Sequence, residues 1–545
     1  MSAKRFPLLS SIMNSLPLVG DRISYLGQLG VVKFVGEVEN TNGLWLGVEW
    51  DNPERGKHDG VKDGKRYFSC RIPNSGSFIR PSGQVLRGVS FLQALKAKYV
   101  EQFYGSESQE KITLGSSNGV IEVEAVNLDK IRGKFANLER LREVSLENEL
   151  VGTVDKQGSI RETCPNIRGL DLSTSLLPTW TAIADIATEL PALQRLVLNR
   201  NRFTETVLDA SKMSISFLNL TDLQLNATLI GWNEMQRVTS FMPKLISVEL
   251  GRNGLSVPDN PTIGKGSSIH IINLEGNRCK EWTRICNSLS SYEHLERVIL
   301  TSNDINFIPP PEKASMILNN LKHISLNSNN LNTWNDIDSL ALWCPSLSSL
   351  AVVENPLIES GDETRYTRPF IIARISGLLS LDSTAVSTRE RIDSELLYLS
   401  YISQRFSLDQ SGTALSRLAR EHPRWEELSK KHGMTLSTTA VVSQQDRLSR
   451  KLFEVGVQKM MAATPAEAIE GTKPVPMRVL PSMTLKVFRL KVRKTLNIHK
   501  DLAFSLWLRM DDGSWAELQA DSHNIDWLGL EGGSSLACCI QSKEE

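Results

Sequence analysis

The sequence predicts a multidomain α+β protein, and three observations carry that prediction. One line of text, L-x-x-L-x-L-x-x-N, repeats between Leu141 and Leu357. Ahead of it, from Val19 to about Pro81, short apolar runs alternate with glycines and aromatic residues. Behind it, from Met477 to Ile540, an apolar run at helical spacing lies between stretches of strand character. A chain of 545 residues has room for several domains. The expected divisions are a small all-β domain at 18–85, a connector at 86–137, a capped solenoid at 138–385, a helical and linker region at 386–473, and a C-terminal domain at 474–545.

The repeats organise the rest. Clear copies are Leu193, Leu196, Leu198, Asn201; Leu245, Val248, Leu250, Asn253; Ile269, Ile272, Leu274, Asn277; Leu295, Val298, Leu300, Asn303; Leu321, Ile324, Leu326, Asn329; and Leu347, Leu350, Val352, Asn355. Weaker copies place Glu149, Ser175 and Thr228 at the polar position, which recurs every 24 to 27 residues, the period of a leucine-rich repeat. The Leu-x-Leu step has period 2, so a short strand points both side chains inward. The Asn can hydrogen-bond the backbone where the strand turns. Trp180, Trp232, Trp282 and Trp334 each open an amphipathic stretch that reads as a helix. Pro165, Pro191, Pro243 and Pro345 end such stretches. About nine strand–turn–helix units therefore stack into an α/β solenoid whose strands line its concave face. Tyr366 to Asp382 supplies a cap, with Arg374 and Asp382 as its salt-bridging residues.

The N-terminal stretch reads as a highly bent sheet with Gly and Asn-Gly turns. Its Gly56-Lys57-His58-Asp59-Gly60 loop, the preceding Leu44-Trp45-Leu-Gly-Val-Glu-Trp50 and the closing Gly76-Ser-Phe78-Ile-Arg80-Pro resemble a CAP-Gly domain. His58 stands where that family usually has Asn, and an imidazole can still donate a hydrogen bond. The resemblance implies binding of an acidic C-terminal peptide tail, notably that of α-tubulin. Lys57 and Arg80 would meet its carboxylates, Trp45, Trp50, Phe68 and Phe78 would wall a groove for a terminal aromatic ring, and Gly56 and Gly60 would let the loop approach. Trp50 and Phe68 fit the core of a tiny domain equally well.

In the connector, Phe91 to Tyr104 reads as helical, Gly105 to Glu110 as a loop, and Lys111 to Val126 as two strands. The Gly115-Ser-Ser-Asn-Gly119 match to a nucleophile elbow is a chance turn, because strand rather than helix follows it. Thr388 to about Gly433 is helical, with further helical turns to about Met461, and Thr464 to Pro476 is a Pro-punctuated linker. The strand–helix–strands order after it resembles a ubiquitin-like β-grasp domain. Its Gln541-Ser-Lys-Glu-Glu545 end has no Gly-Gly, so a docking role is expected and conjugation is not.

In this order the three modules resemble the tubulin-folding cofactor E family. That resemblance implies a non-enzymatic chaperone that binds the tail and body of α-tubulin and works with other tubulin-folding cofactors in assembling and dissociating the α/β heterodimer. It also implies a cytoplasmic, cytoskeleton-associated location. Two rival readings are a CAP-Gly microtubule-end adaptor and a ubiquitin-pathway adaptor that docks on the proteasome. Neither long heptads nor basic Ser-rich flanks accompany the CAP-Gly stretch, which weighs against the first.

The remaining signals exclude classes of function. A net charge of +0 gives no nucleic-acid footprint, and no apolar run reaches the length of a membrane span. The basic, then apolar opening at Met1 to Ser10 is interrupted by Asn14 and Pro17 and reads as no signal peptide. Seven cysteines without a C-x-x-C pair suit a reduced, intracellular chain, with Cys164 and Cys344 as buried apolar residues. No phosphate-loop or dinucleotide fingerprint is present, so no catalytic residue and no cofactor is expected. His270, His294 and His323 lack metal-ligand companions and read as packing or surface residues.

Overall fold

The computed structural model describes residues 16–101, 112–116, 119–123, 137–204, 208–257, 267–313, 315–359, 366–406, 412–433, 452–467, 472–500, 502–510 and 512–540. The opening Met1 to Ser10, the Gly105 to Glu110 loop, the tip of the Gly115–Gly119 turn, the helical turns expected between 434 and 451, part of the Thr464–Pro476 linker and the Gln541–Glu545 end lie outside the described residues. Two compact units divide the chain near Glu395.

In the first unit, five strands form an antiparallel sheet in the order Gly76–Ile79, Leu44–Trp50, Gln28–Glu37, Arg22–Tyr25, Val85–Leu86. One face packs Ile23, Val32, Leu46, Val48, Trp50 and Ile79 into a small core. The chain then forms the helix Phe91–Lys96, whose cap Ser90 accepts the Gln93 N–H, and a wider π turn follows at Ala97–Glu101. Ile112–Ser116 and Gly119–Val123 pair antiparallel as expected.

The repeats form one continuous ladder. Three-residue strands from Glu143–Ser145 to Ser349–Ala351 pair in parallel, and Ser380–Leu381 extends the sheet before Thr384–Ala385 turns back antiparallel. The middle residue of each three-residue strand is buried, as in Ser247-Val248-Glu249. The expected helices begin at the expected tryptophans: Trp180–Thr188, Trp232–Thr239, Trp282–Leu289 and Trp334–Trp343. The first three indoles are buried, and their N–H groups find no acceptor among the described residues. Each such donor costs about 1–3 kcal/mol, which the burial of so large a ring offsets. Trp334 is only half-buried, because it faces the cap, 5.5 Å from Phe370 and 5.1 Å from the Arg374 guanidinium.

Asparagine holds the turns together. Asn277 is typical: its Nδ2 donates to the carbonyls of Leu250 and Leu274, both at 2.9 Å, while its Oδ1 accepts N–H groups of Asn253 (2.9 Å) and Leu255 (3.0 Å). One side chain thus satisfies buried backbone groups of two successive repeats, which would otherwise be unpaired. Where Ser175 and Thr228 replace Asn, the asparagine of the next repeat supplies the acceptor, Asn201 at 2.8 Å and Asn253 at 2.7 Å. Arg374 pairs with Asp338, as the cap reading expects. Asp382 instead accepts the Val352 N–H at 2.8 Å, continuing the backbone ladder where the next strand would be.

The β domain is fastened to the early repeats. Buried Arg22 grips Asp51 with both Nη atoms (2.9 and 2.6 Å) and donates from Nε to the Ser175 carbonyl at 3.2 Å. Arg71 donates to the Phe203 carbonyl at 2.7 Å. The strand Val89–Ser90 pairs with Val151–Thr153.

The second unit opens with helices, as expected, through Gly412–Glu421 and Trp425–His432, and differs from expectation after them. Phe453–Met460 is a strand and not a helical continuation, because its apolar residues Val455 and Val457 recur with period 2. It is the second strand of a five-stranded sheet centred on Ser535–Ile540, and it lies upstream of the expected boundary at 474. The order is Val475–Val479, Phe453–Met460, Ser535–Ile540, Phe504–Arg509, Trp515–Glu517, with the second and third strands parallel. The helix Leu485–Thr495 buries Leu485, Phe488 and Val492 in the core of this sheet.

Candidate functional site: an aromatic and cationic cluster on the N-terminal sheet

Alternation along Leu44–Trp50 sends Leu46, Val48 and Trp50 to the core and Trp45, Gly47 and Glu49 to the other face. Trp50 is 1% exposed and its indole N–H donates to Ser77 Oγ at 2.7 Å. Of the two readings open for Trp50, the core is therefore the correct one, and it is no groove wall. Phe68 is also buried, at 6%, yet it belongs to the opposite face. It lies where a Cβ on Gly47 or Gly76 would sit, 2.4 and 2.8 Å away, so it floors the cluster.

Phe78 is the hub. Its ring centre lies 5.1 Å from His58, 5.4 Å from Phe68, 5.6 Å from Tyr67, 6.2 Å from Phe34 and 6.3 Å from Trp45, mostly edge to face. The Arg80 guanidinium stacks 3.8 Å above the Trp45 ring and donates to the Leu44 carbonyl at 3.1 Å, while Lys62 lies 5.9 Å from the same ring. Phe34, Tyr67 and Lys62 were missed by the sequence reading. A bulge between Val32 and Phe34 shifts the strand's phase and sets Phe34 beside Gly47. The signal for Tyr67 was its adjacency to Phe68.

The loop is built on close backbone approach. Lys57 and His58 donate their N–H groups to the Gly76 carbonyl (2.7 and 3.1 Å), and Gly76 returns one to His58. A Cβ on Gly56 would lie 2.1 Å from the Asn74 carbonyl oxygen. Gly60 has φ +82°, and its Cβ would lie 2.1 Å from the Phe68 carbonyl oxygen. The Gly60 N–H donates to His58 Nδ1 at 3.0 Å, which leaves Nε2 as the imidazole's donor. Burial, then the Lys57 and Lys62 charges, lowers the His58 pKa against the opposing pull of Asp59. The Asp59 carboxylate accepts from Arg66 (3.1 Å) and the Cys70 N–H (3.1 Å), and the Arg66 bond first among them lowers its pKa. Its charge is spent inside the loop. Lys57 is exposed and joins no ion pair among the described residues.

The result is an aromatic platform edged by Lys57, Lys62, Arg80 and the His58 donor. It can take an acidic, aromatic-ended peptide. Trp45, His58, Phe68, Phe78 and Arg80 meet in it, Gly60 lies against Phe68, Lys57 stands beside His58, Gly56 and Asp59 hold the loop, and Trp50 faces the other way.

A second surface lies on the repeats. The outward strand side chains, with Tyr99 at one end, line a groove of about 700 Å³ that holds Glu143, Asp171, Arg195, Arg200, Glu249, Arg252 and Glu275. Arg195 pairs with Glu143, and Arg252 with Glu275 at 3.4 Å. The histidines are elsewhere: His270 stacks on His294 at 5.7 Å, and burial lowers the His323 pKa. All seven cysteines are free thiols, and burial pushes those of Cys164 and Cys344 up to about 12. No helix among the described residues is long and apolar enough to cross a membrane.

Residues 19–83 match the CAP-Gly domain family. The chain is 31% identical to tubulin-specific chaperone E of Bos taurus over 95% of its own length and 98% of that protein's. It is 30% identical to tubulin-specific chaperone E of Homo sapiens over the same two shares, and 28% identical to tubulin-folding cofactor E of Arabidopsis thaliana over 76% and 78%. Kinship at that level across the full set of modules goes beyond a shared CAP-Gly domain: the chain belongs to the tubulin-specific chaperone E family.

Proposed function

We propose that this chain is a non-enzymatic tubulin chaperone of the cytoplasm. It binds α-tubulin and acts with the other tubulin-folding cofactors in assembly and dissociation of the α/β heterodimer. The observation that carries this reading is the likeness to bovine tubulin-specific chaperone E along 98% of that protein. The geometry supports a division of labour. Lys57, Arg80 and the His58 donor take the acidic tail, Trp45 and Phe78 take its terminal ring, and the strand-face groove takes the folded body. The Arg22–Asp51 node and the Arg71 bond hold the β domain against the repeats, so a captured tail stays near the groove. Such tethering raises the effective concentration of the second contact into the millimolar range, about 10²–10⁴-fold in avidity.

The C-terminal sheet, with its hairpin, helix and parallel central pair, supports the reading of a ubiquitin-like β-grasp domain that docks on a further partner. Co-sedimentation tests the function. A cofactor remains with soluble tubulin and depletes polymer, whereas pelleting in proportion to polymer would make the chain a microtubule-end adaptor instead.

A further inference from the structure

The helix Leu485–Thr495 carries five cations and no acidic residue in a chain whose net charge is +0. Three of the five are occupied within their own domain. Arg489 pairs with Asp521 at 2.8 Å, Lys491 donates to the Arg478 carbonyl, and Arg493 donates to the His499 carbonyl at 2.7 Å while covering the Phe504 ring at 5.0 Å. Lys486 and Lys494 are exposed and join no ion pair among the described residues. Between them on the same face, at i+4, stands Leu490, which is 62% exposed, and beside it Val487 at 49%. Helical spacing aligns Lys486, Leu490 and Lys494 in one row and sets Val487 against it. The opposite side of the helix is already committed to the core through Leu485, Phe488 and Val492.

We propose that this outward strip is a docking surface for an acidic peptide segment that carries aliphatic side chains. The charge decides the partner. Two uncompensated lysines flanking an apolar pair complement carboxylates flanking a leucine or valine, and such complementarity sets orientation and association rate. The strip has no aromatic side chain on which bases could stack, which disfavours single-stranded nucleic acid. Two apolar residues on a helix packed into a domain present too little surface to insert into a bilayer. The surface is separate from the Lys57 loop, and it needs no free C-terminus in its ligand.

The probe is a fluorescein-labelled peptide of glutamates interspersed with leucines, amidated at its C-terminus, titrated into the full-length chain. Saturable binding is expected, weakening several-fold between 50 and 200 mM salt. K486E/K494E should weaken it at least tenfold, L490S about threefold, and K486Q/K494Q by an intermediate factor, while K57A leaves it unchanged. All these positions are exposed, and the Gln pair keeps the test valid should charge reversal disturb the fold. Absence of binding, equal binding by both lysine double variants, or loss of binding in K57A would overturn the proposal. So would binding of phosphatidylserine vesicles without binding of the peptide.

Discussion

Asn277 and Gly60 each keep a stretch of backbone in place, and they do so by opposite means. Asn277 adds a side chain whose amide bridges two repeats through four bonds. Gly60 contributes by lacking one, because a Cβ there would enter the space of the Phe68 carbonyl. The repeat array uses one device many times over, with Asn201, Asn253, Asn303, Asn329 and Asn355 in the same role. The N-terminal domain gives each position its own neighbour to accommodate: Gly47 admits Phe34 and Phe68, Gly56 passes Asn74, and His58 holds Gly60. Repetition makes the array a rigid support whose errors are local. Uniqueness makes the loop specific and leaves it no substitute.

Variants can break that contrast. Asn277→Ala should have the largest effect, about 3–5 kcal/mol of stability, since it strands buried donors and acceptors in two repeats. Denaturant unfolding should then show the array melting earlier or in two steps, and a loss under 1 kcal/mol would contradict the ladder. Gly60→Ala should cost about 3 kcal/mol through strain and overlap together. Gly254 sharpens the point: it has φ +66° with nothing within 4 Å, so Gly254→Ala meets only the left-handed penalty of about 1–2 kcal/mol. Equal thermal shifts for the two glycines would mean that close approach plays no part at Gly60. Lys57→Ala should leave stability within about 0.5 kcal/mol and weaken an acidic tail peptide at least tenfold, or about 1.4 kcal/mol, by calorimetry.

The smallest effect is on pH. His58 has a folded pKa below its ordinary value of about 6.5, so the unfolded chain takes up this proton first. Its contribution to stability is full above that value and is lost as pH falls through the folded pKa. Protonation also ends acceptance of the Gly60 N–H at Nδ1. A His58→Asn variant, which cannot titrate, should flatten the N-terminal domain's melting profile between pH 7 and 5. An unchanged slope would show that the Nδ1 bond does not matter.

The same contrast explains what could be seen in the sequence. The array was legible because strand period, Asn spacing and helix-opening Trp all repeat, so each copy corrects its neighbours. Asp382 escaped because the cap occurs once, and its bond to Val352 is set by the strand before it. The Gly56–Gly60 loop was legible as a motif, but the facing of its surroundings was not. Trp50 and Trp45 are both aromatic, and only the strand's phase separates core from cluster. The bulge before Phe34 hid the facing of that ring in the neighbouring strand. Phe453–Met460 escaped because only Val455 and Val457 mark its period of 2, a short signal whose parallel partner Ser535–Ile540 lies far along the chain.

The proposed function requires capture of a tail by the N-terminal cluster, backed by a body contact on the repeats. The most direct measurement is the affinity of the full-length chain for soluble α/β-tubulin with the α-tubulin C-terminal tail intact and with its last residues removed. At least a tenfold loss on removal is predicted, and the Lys57→Ala chain should show no further loss. Equal affinity for intact and tailless tubulin would contradict it.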